Sequence, residues 1–243
     1  MKSLNDEEFN KSHNIIFCTK NGVVKKTSLE AYSRPRANGV NAILIREDDK
    51  VIDVCLTDGN SEIVLANKHG KAIRFNETKV RQMGRVSTGV KGMTLDGPDD
   101  EVIGMIVIED PQKETILVVS DQGYGKRSDI EDYRITNRGG KGVKTLNITD
   151  KTGELIAIKS VTDENDLMII NKSGITIRLC MSEVRVQGRA TQGVRLINLT
   201  KKNDQIASVC KVIHSDEEEE VEGVVEGEDV ASDNEETTNN DNK

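Results

Sequence analysis

Arginine pairs spaced four apart recur along this chain: Arg81 with Arg85, Arg134 with Arg138 and Arg185 with Arg189, while an earlier loop carries Arg34 and Arg36. Each later pair brackets a Gly or Asn, and each loop closes on Gly-Val, at Gly39-Val40, Gly89-Val90, Gly142-Val143 and Gly193-Val194. A guanidinium fork grips phosphate through two parallel hydrogen bonds, and glycine lets backbone N–H groups approach an anion closely. A second series of cations, Lys26, Arg74, Arg127 and Arg178, lies four residues past the turn glycines Gly22, Gly70, Gly123 and Gly174. Lys25, Lys71, Lys91, Lys126 and Lys141 stand close to one series or the other. These residue types at these addresses suit a repeated phosphate contact.

Other chemistries are poorly served. Tyr32 and Tyr133 fall ten residues past a turn glycine, where the other units have Val80 and Val184. A position that alternates Tyr with Val reads as packing. His13, His69 and His214 share no spacing, and no Cys or carboxylate set of metal-ligating type stands near them. Asp99-Asp100-Glu101 reads as a solvated turn, and no Walker-type loop is present. We expect no catalytic residue, no metal and no cofactor in this chain.

Charge is divided unevenly. Of the 42 Asp and Glu, 13 lie from Ser215 onward with a single Lys, which leaves 29 acids against 33 Lys and Arg in the body. A body near +4 carries a tail near −12, a split hidden by the net −8. Such asymmetry points to a polyanionic partner for the body. Cys18, Cys55, Cys180 and Cys210 form no C-x-x-C pair and read as reduced, mostly core thiols. No apolar run reaches membrane length and the N-terminus lacks a signal-peptide core, so a cytoplasmic location without a membrane partner is expected.

The elements that must position the cations are short strands in a repeat. The turn glycines are 48, 53 and 51 residues apart and the loop glycines 50, 53 and 51. Each unit holds about four β-branched runs separated by Gly, Asn and Asp; the first has 15–19, 23–29, 40–45 and 51–56. Four strands per repeat of about 50 residues predict an all-β, propeller-like array of stacked blades whose core forms between neighbouring sheets. The expected organisation is a polar connection at 1–13, repeats at about 14–60, 61–110, 111–163 and 164–214, and a disordered acidic tail at 215–243. With no Trp and 2% aromatic residues, WD40 and kelch blades are excluded.

In such an array the bases have two readings. They form a basic track around the edge of a disc, holding bent duplex DNA by its backbone without reading bases. Alternatively they form salt bridges between blades, with partners such as Glu30, Asp129, Glu131 or Glu183. The surplus of bases in the body favours the polyanion. The candidate contacts are Lys25, Lys26, Arg36, Lys71, Arg74, Arg81, Arg85, Lys91, Lys126, Arg127, Arg134, Arg138, Lys141, Arg178, Arg185 and Arg189.

The strings Asn21-Gly22-Val23-Val24-Lys25-Lys26-Thr27, Gly70-Lys71-Ala72-Ile73-Arg74-Phe75, Ser87-Thr88-Gly89-Val90-Lys91-Gly92, Gln122-Gly123-Tyr124-Gly125-Lys126-Arg127 and Gly188-Arg189-Ala190-Thr191-Gln192-Gly193-Val194 resemble the C-terminal domain of DNA gyrase A subunits over nearly the whole chain. The resemblance implies a six-bladed β-pinwheel that exchanges strands between blades. It implies duplex DNA wrapped on a basic perimeter, in support of ATP-dependent negative supercoiling by an enzyme that also contains a breakage-reunion domain and the gyrase B subunit. ATP and Mg²⁺ would act elsewhere in that enzyme. Four repeats are visible where the family has six, so two further blades are expected upstream of residue 1. The family's Gln-Arg-Arg-Gly-Gly-Lys-Gly box belongs to its first blade; the nearest string here, Thr136 to Gly142, reads as a related blade loop. The corresponding domain of topoisomerase IV and a protein-binding propeller are the alternatives. The tail is expected to compete with DNA for the basic rim.

Overall fold

The computed structural model describes residues 6–199 and 204–213. The acidic tail lies outside the described residues. The chain opens with a short helix, Glu7–Ser12, where the sequence suggested only a polar connection. Asp6 caps it by accepting the Phe9 amide at 3.0 Å.

Four antiparallel sheets follow, one per repeat. Blade 1 is built on β1 (Asn14–Thr19), β2 (Val23–Ser28) and β3 (Val51–Thr57). Blade 2 is built on β4 (Glu62–Asn67), β5 (Lys71–Asn76) and β7 (Val102–Ile108), with β6 (Val90–Lys91) between β5 and β7 in the chain. Blade 3 comprises β8 (Thr115–Ser120), β9 (Tyr124–Asp129) and β11 (Leu155–Val161), with β10 (Val143–Lys144) inserted. Blade 4 comprises β12 (Asn165–Asn171), β13 (Thr176–Cys180) and β15 (Ile206–Ile213), with β14 (Val194–Arg195) inserted.

The short inserted strands do not join their own blades. The sheet orders are β3-β1-β2-β6, β10-β5-β4-β7, β11-β8-β9-β14 and β13-β12-β15. Each Gly-Val strand therefore completes the preceding blade: Val90 pairs with Val24, Val143 with Ala72 and Val194 with Gly125. The fourth blade has three strands among the described residues, where the repeat suggested four. The run 40–45, read as a strand, forms none. By the rule the later repeats follow, it would pair with a repeat before the first, and this sequence contains none. The run 90–95 is a strand for only two residues, because Gly92 and Met93 turn to donate their amides to the Gly22 carbonyl at 2.8 and 3.2 Å.

That contact recurs and explains the turn glycines. The Gly70 carbonyl accepts Thr145 and Leu146, and the Gly123 carbonyl accepts Leu196 and Ile197. Gly70 has φ +78°, and a Cβ there would lie 2.7 Å from the Leu146 carbonyl oxygen and 2.6 Å from an Ile148 side-chain carbon. Both the left-handed conformation and the close approach exclude a side chain.

Three apolar clusters fill the spaces between successive sheets. Ile16, Cys18 and Val24 of blade 1 meet Ile63, Leu65, Ile73 and Phe75 of blade 2. Val64 and Ala66 meet Ile116, Val118 and Ile130, and Leu117 and Val119 meet Leu167 and Ile169. Each buried Ile or Leu contributes about 1.5–3 kcal/mol of transfer free energy. Along one edge of the array β3 packs on β7, β7 on β11 and β11 on β15. These are the inner strands, so the exchanged strands β6, β10 and β14, at the opposite sheet edge, form the perimeter.

Candidate nucleic-acid interface

The recurring cations separate into three groups by position. The first group sits four residues past each turn glycine and faces the next blade. Lys26 Nζ donates to the Glu77 carbonyl at 2.9 Å and pairs with the Glu77 carboxylate at 3.4 Å. Arg74 donates through Nη1 to the Ile130 and Tyr133 carbonyls at 2.8 and 3.0 Å, and through Nε to Glu62 at 2.6 Å. Arg127 repeats this, with the Met181 carbonyl at 2.6 Å, the Val184 carbonyl at 3.4 Å and Asp163 at 2.7 Å. Each cation thus grips the 3-10 turn that opens the following repeat's Arg loop. Lys26, Arg74 and Arg127 are buried at 8%, 7% and 4% exposure, so no phosphate outside the disc reaches them. Their assignment as surface contacts is corrected: all three make interblade hydrogen bonds, but only Lys26 pairs with an acid of another blade. The acids are not those suggested by the sequence but Glu77, Glu62 and Asp163, and most acceptors are backbone carbonyls. The fourth member, Arg178, is exposed, and its Nε donates to Asp166 at 2.6 Å.

The second group is also internal. Lys25 and Lys126 are fully buried and donate to loop carbonyls, Lys25 to Ala42 at 2.6 Å and Lys126 to Gly188 at 2.6 Å. Burial, and then the neighbouring cations Arg85 and Arg189 respectively, lower each ammonium to about 8. Neither lysine is a surface contact.

The third group lies on the perimeter. Gln82, Ile135 and Val186 bridge in parallel to the outgoing strand of the preceding blade, and the exchanged strand closes on the same outgoing strand. The exposed Arg81, Arg134 and Arg185 immediately precede these bridges. Arg85, Arg138 and Arg189 are half-buried in the loops. Arg138 donates to the Lys79 and Lys91 carbonyls at 2.9 and 3.0 Å, and Arg189 donates to the Lys144 carbonyl at 2.9 Å. Each of these two arginines therefore also ties its loop to the blade before it. Lys91 and Lys141 are exposed, Arg36 is exposed in the turn that precedes Gly39, and the half-buried Lys71 pairs with Asp96 at 2.7 Å.

Sequence reasoning missed two members of this group. The exchanged strands read Val90-Lys91, Val143-Lys144 and Val194-Arg195, with an exposed cation second in all three. Lys144 and Arg195 were legible as the residue after each Gly-Val. Arg195 Nη2 donates to the Tyr124 hydroxyl at 3.0 Å, and its guanidinium lies 5.5 Å from that ring's centroid. The phenol is held below its usual pKa, chiefly by this hydrogen bond.

Other sequence readings are also revised. His69 does have carboxylate neighbours: Nε2 is 3.4 Å from Asp99, and Nδ1 is 3.8 Å from Asp100. Ligand atoms of His69, Asp96 and Asp100 lie within 4.8 Å of one another. Asp96 is already held by Lys71, and Asp100 accepts from Asn67 at 2.6 Å and from the Asp96 amide at 2.8 Å, so the cluster is a turn lock. Asp100 is accordingly buried, where a solvated turn was expected. Among the cysteines only Cys18 is in the core, and Cys210 is exposed. Tyr133 is 1% exposed and Tyr32 donates to the Ala42 carbonyl at 2.9 Å, in keeping with packing roles.

The family described as DNA gyrase C-terminal domain, beta-propeller, matches residues 13–55, 61–109, 114–162 and 165–210, one segment for each blade. The chain belongs to the DNA gyrase A C-terminal domain family. The DNA gyrase A subunit of Staphylococcus aureus strain MRSA252 is 46% identical over 208 residues, covering 86% of this chain and 23% of that protein. The same protein of strain NCTC 8325 is 46% identical over 206 residues. The chain thus spans about a quarter of the length of these curated relatives. Among solved structures, a DNA topoisomerase IV C-terminal domain superposes with TM-score 0.78 at 27% identity, over 85% of this chain and 64% of that one. A DNA gyrase A C-terminal domain gives TM-score 0.74 at 23% identity, over 84% and 67%. The fold is common to both enzymes' domains, and the 46% identity is to gyrase A subunit sequences. Among the described residues no helix is long and apolar enough to cross a membrane.

Proposed function

We propose that this chain is the DNA-wrapping part of a gyrase A subunit, holding duplex DNA along its perimeter by the phosphate backbone. One observation carries the reading: Lys91, Lys144 and Arg195 are exposed at one address on three successive perimeter strands, with Arg81, Arg134 and Arg185 beside them. A stiff polyanion curved around that edge meets a fresh cation cluster at each blade. The chain performs no bond-making step in this reading. It acts as the non-catalytic part of an ATP-dependent type IIA topoisomerase, alongside the breakage-reunion domain and the gyrase B subunit, in the bacterial cytoplasm and on the nucleoid. ATP and Mg²⁺ work elsewhere in that assembly.

The test is the salt dependence of affinity for mixed-sequence duplex DNA. Neutralising about six to eight phosphates gives a slope of log K against log salt of roughly −5 to −7. The combined variant Lys91→Ala, Lys144→Ala and Arg195→Ala flattens that slope by about 2.7, at about 0.9 per phosphate contact. A weak salt dependence in the parent chain, or an unchanged slope in the variant, would transfer the perimeter to a protein-binding role.

A further inference from the structure

Two of the Arg loops rest on a buried ammonium supplied by the preceding blade. Lys25 Nζ donates to the carbonyl of Arg85 itself as well as to Ala42, whose oxygen also accepts the Tyr32 hydroxyl at 2.9 Å. Lys126 Nζ donates at 2.6 Å to the Gly188 carbonyl, which also accepts the Thr191 amide at 3.2 Å and the Thr191 hydroxyl at 3.0 Å. An ammonium buried against neutral carbonyls is unfavourable compared with an apolar side chain. The repeat avoids that cost elsewhere, because the same address three residues past the turn glycine holds Ile73 in blade 2 and Ile177 in blade 4.

Blade 2 is a built-in comparison. A cavity of about 270 Å³ lies over Ile73, lined by Arg134, Gly140 and Lys141 of the next repeat's loop. That loop is held from its side, by the Thr94 amide on Gly140 at 2.9 Å and the Thr94 hydroxyl on Gly139 at 2.6 Å. The fold therefore forms the same loop without a lysine, and leaves the space over the isoleucine open.

We propose that Lys25 and Lys126 are positioning residues, which fix the loop backbones that present Arg85 and Arg189 at the perimeter without touching the polyanion themselves. The consequence for affinity rests on the DNA-wrapping reading; the anchoring does not. A loop ordered before binding loses less conformational freedom on binding. The charged groups facing Lys126 are Asp132 and Arg189, and Arg85 faces Lys25.

The test uses the full chain with Lys126→Ile, a residue the repeat already accepts at this address. Amide hydrogen exchange is measured without DNA, and DNA affinity at several salt concentrations. Exchange at Thr191 accelerates about tenfold with loss of a charge-assisted bond, while Thr136, whose amide bonds the Arg74 carbonyl at 2.8 Å in another loop, is unaffected. DNA affinity falls with an unchanged salt slope. Unchanged exchange at Thr191, acceleration at Thr136 as well, or a slope reduced by about 0.9 overturns the proposal. Should that variant not fold, Lys126→Met serves with the same two readouts, and unchanged exchange at Thr191 again overturns the proposal. A parent chain that fails to bind DNA refutes the wrapping reading and leaves the exchange result standing.

Discussion

Replacing Arg74 with Met separates the two roles that a recurring arginine can have in this fold. The side chain is 8% exposed and joins three groups from two blades: the Glu62 carboxylate, and the Ile130 and Tyr133 carbonyls of the following repeat. Methionine matches the length but donates nothing, so Glu62 is stranded at 20% side-chain exposure and one face of the 3-10 turn loses its donor. Breaking a buried ion pair by removing one partner costs about 3–5 kcal/mol. The partial exposure of Glu62 places the loss at the lower end, about 3 kcal/mol. Urea denaturation followed by circular dichroism measures the loss, and amide exchange at Thr136 locates it at the junction of blades 2 and 3. Local exchange is needed because stacked repeats unfold in pieces as well as globally. Measured under conditions where the variant stays folded, the salt slope for DNA equals that of the parent. A slope flattened by about 0.9 with stability kept would show that this guanidinium faces phosphate, and the assignment of all the cations four past the turn glycine would fall with it.

Three further outcomes follow from the geometry. Gly70→Ala is more destabilising than Gly174→Ala by about 1–3 kcal/mol in thermal or urea unfolding, because both glycines have positive φ but only Gly70 meets the next repeat within van der Waals distance; equal losses would mean that backbone conformation alone selects glycine. Lys25 and Lys126 are lowered to about 8 from 10.5, so between those pH values the unfolded chain binds more protons and each lysine makes stability rise with pH. Burial raises Tyr133 and Cys18, which act in the opposite direction, so the readout is parent minus Lys25→Ile/Lys126→Ile variant: this difference shifts toward the parent by about 3 kcal/mol per lysine from pH 8 to 10.5, and no shift would mean that the buried amines titrate normally. Removing residues 215–243 tightens DNA binding at low salt and has little effect at high salt, as gel-shift titrations would report; unchanged affinity at low salt would reject competition by the tail.

The repeat, the hairpins and the rim loops were legible because turn glycines and β-branched runs recur at fixed distances. The fate of each cation was not. Alternation along a strand separates inside from outside only when one sheet face meets water. Here both faces of an inner blade are covered, so Lys126 and Arg127 of blade 3 are adjacent, opposite in direction and both buried. Whether the Gly-Val strand completes its own blade or the preceding one is also absent from local pattern, since Val90-Lys91 reads the same in either sheet. The family resemblance supplied the exchange. Lys91 was legible as a contact, but its equivalents Lys144 and Arg195 were missed although each is also the residue following a Gly-Val.

Because the outer strands of blades 1 to 3 are owned by the following repeat, a load placed on any of them does not fall on one sheet alone. A tug on Lys144 pulls β10 from β5 in blade 2, but the covalent path of β10 leads into blade 3, and Arg138 of the same loop is clasped to the Lys91 carbonyl of the strand that finishes blade 1. In the DNA-wrapping reading, tension from a curved duplex that tries to straighten is thus shared across three consecutive sheets.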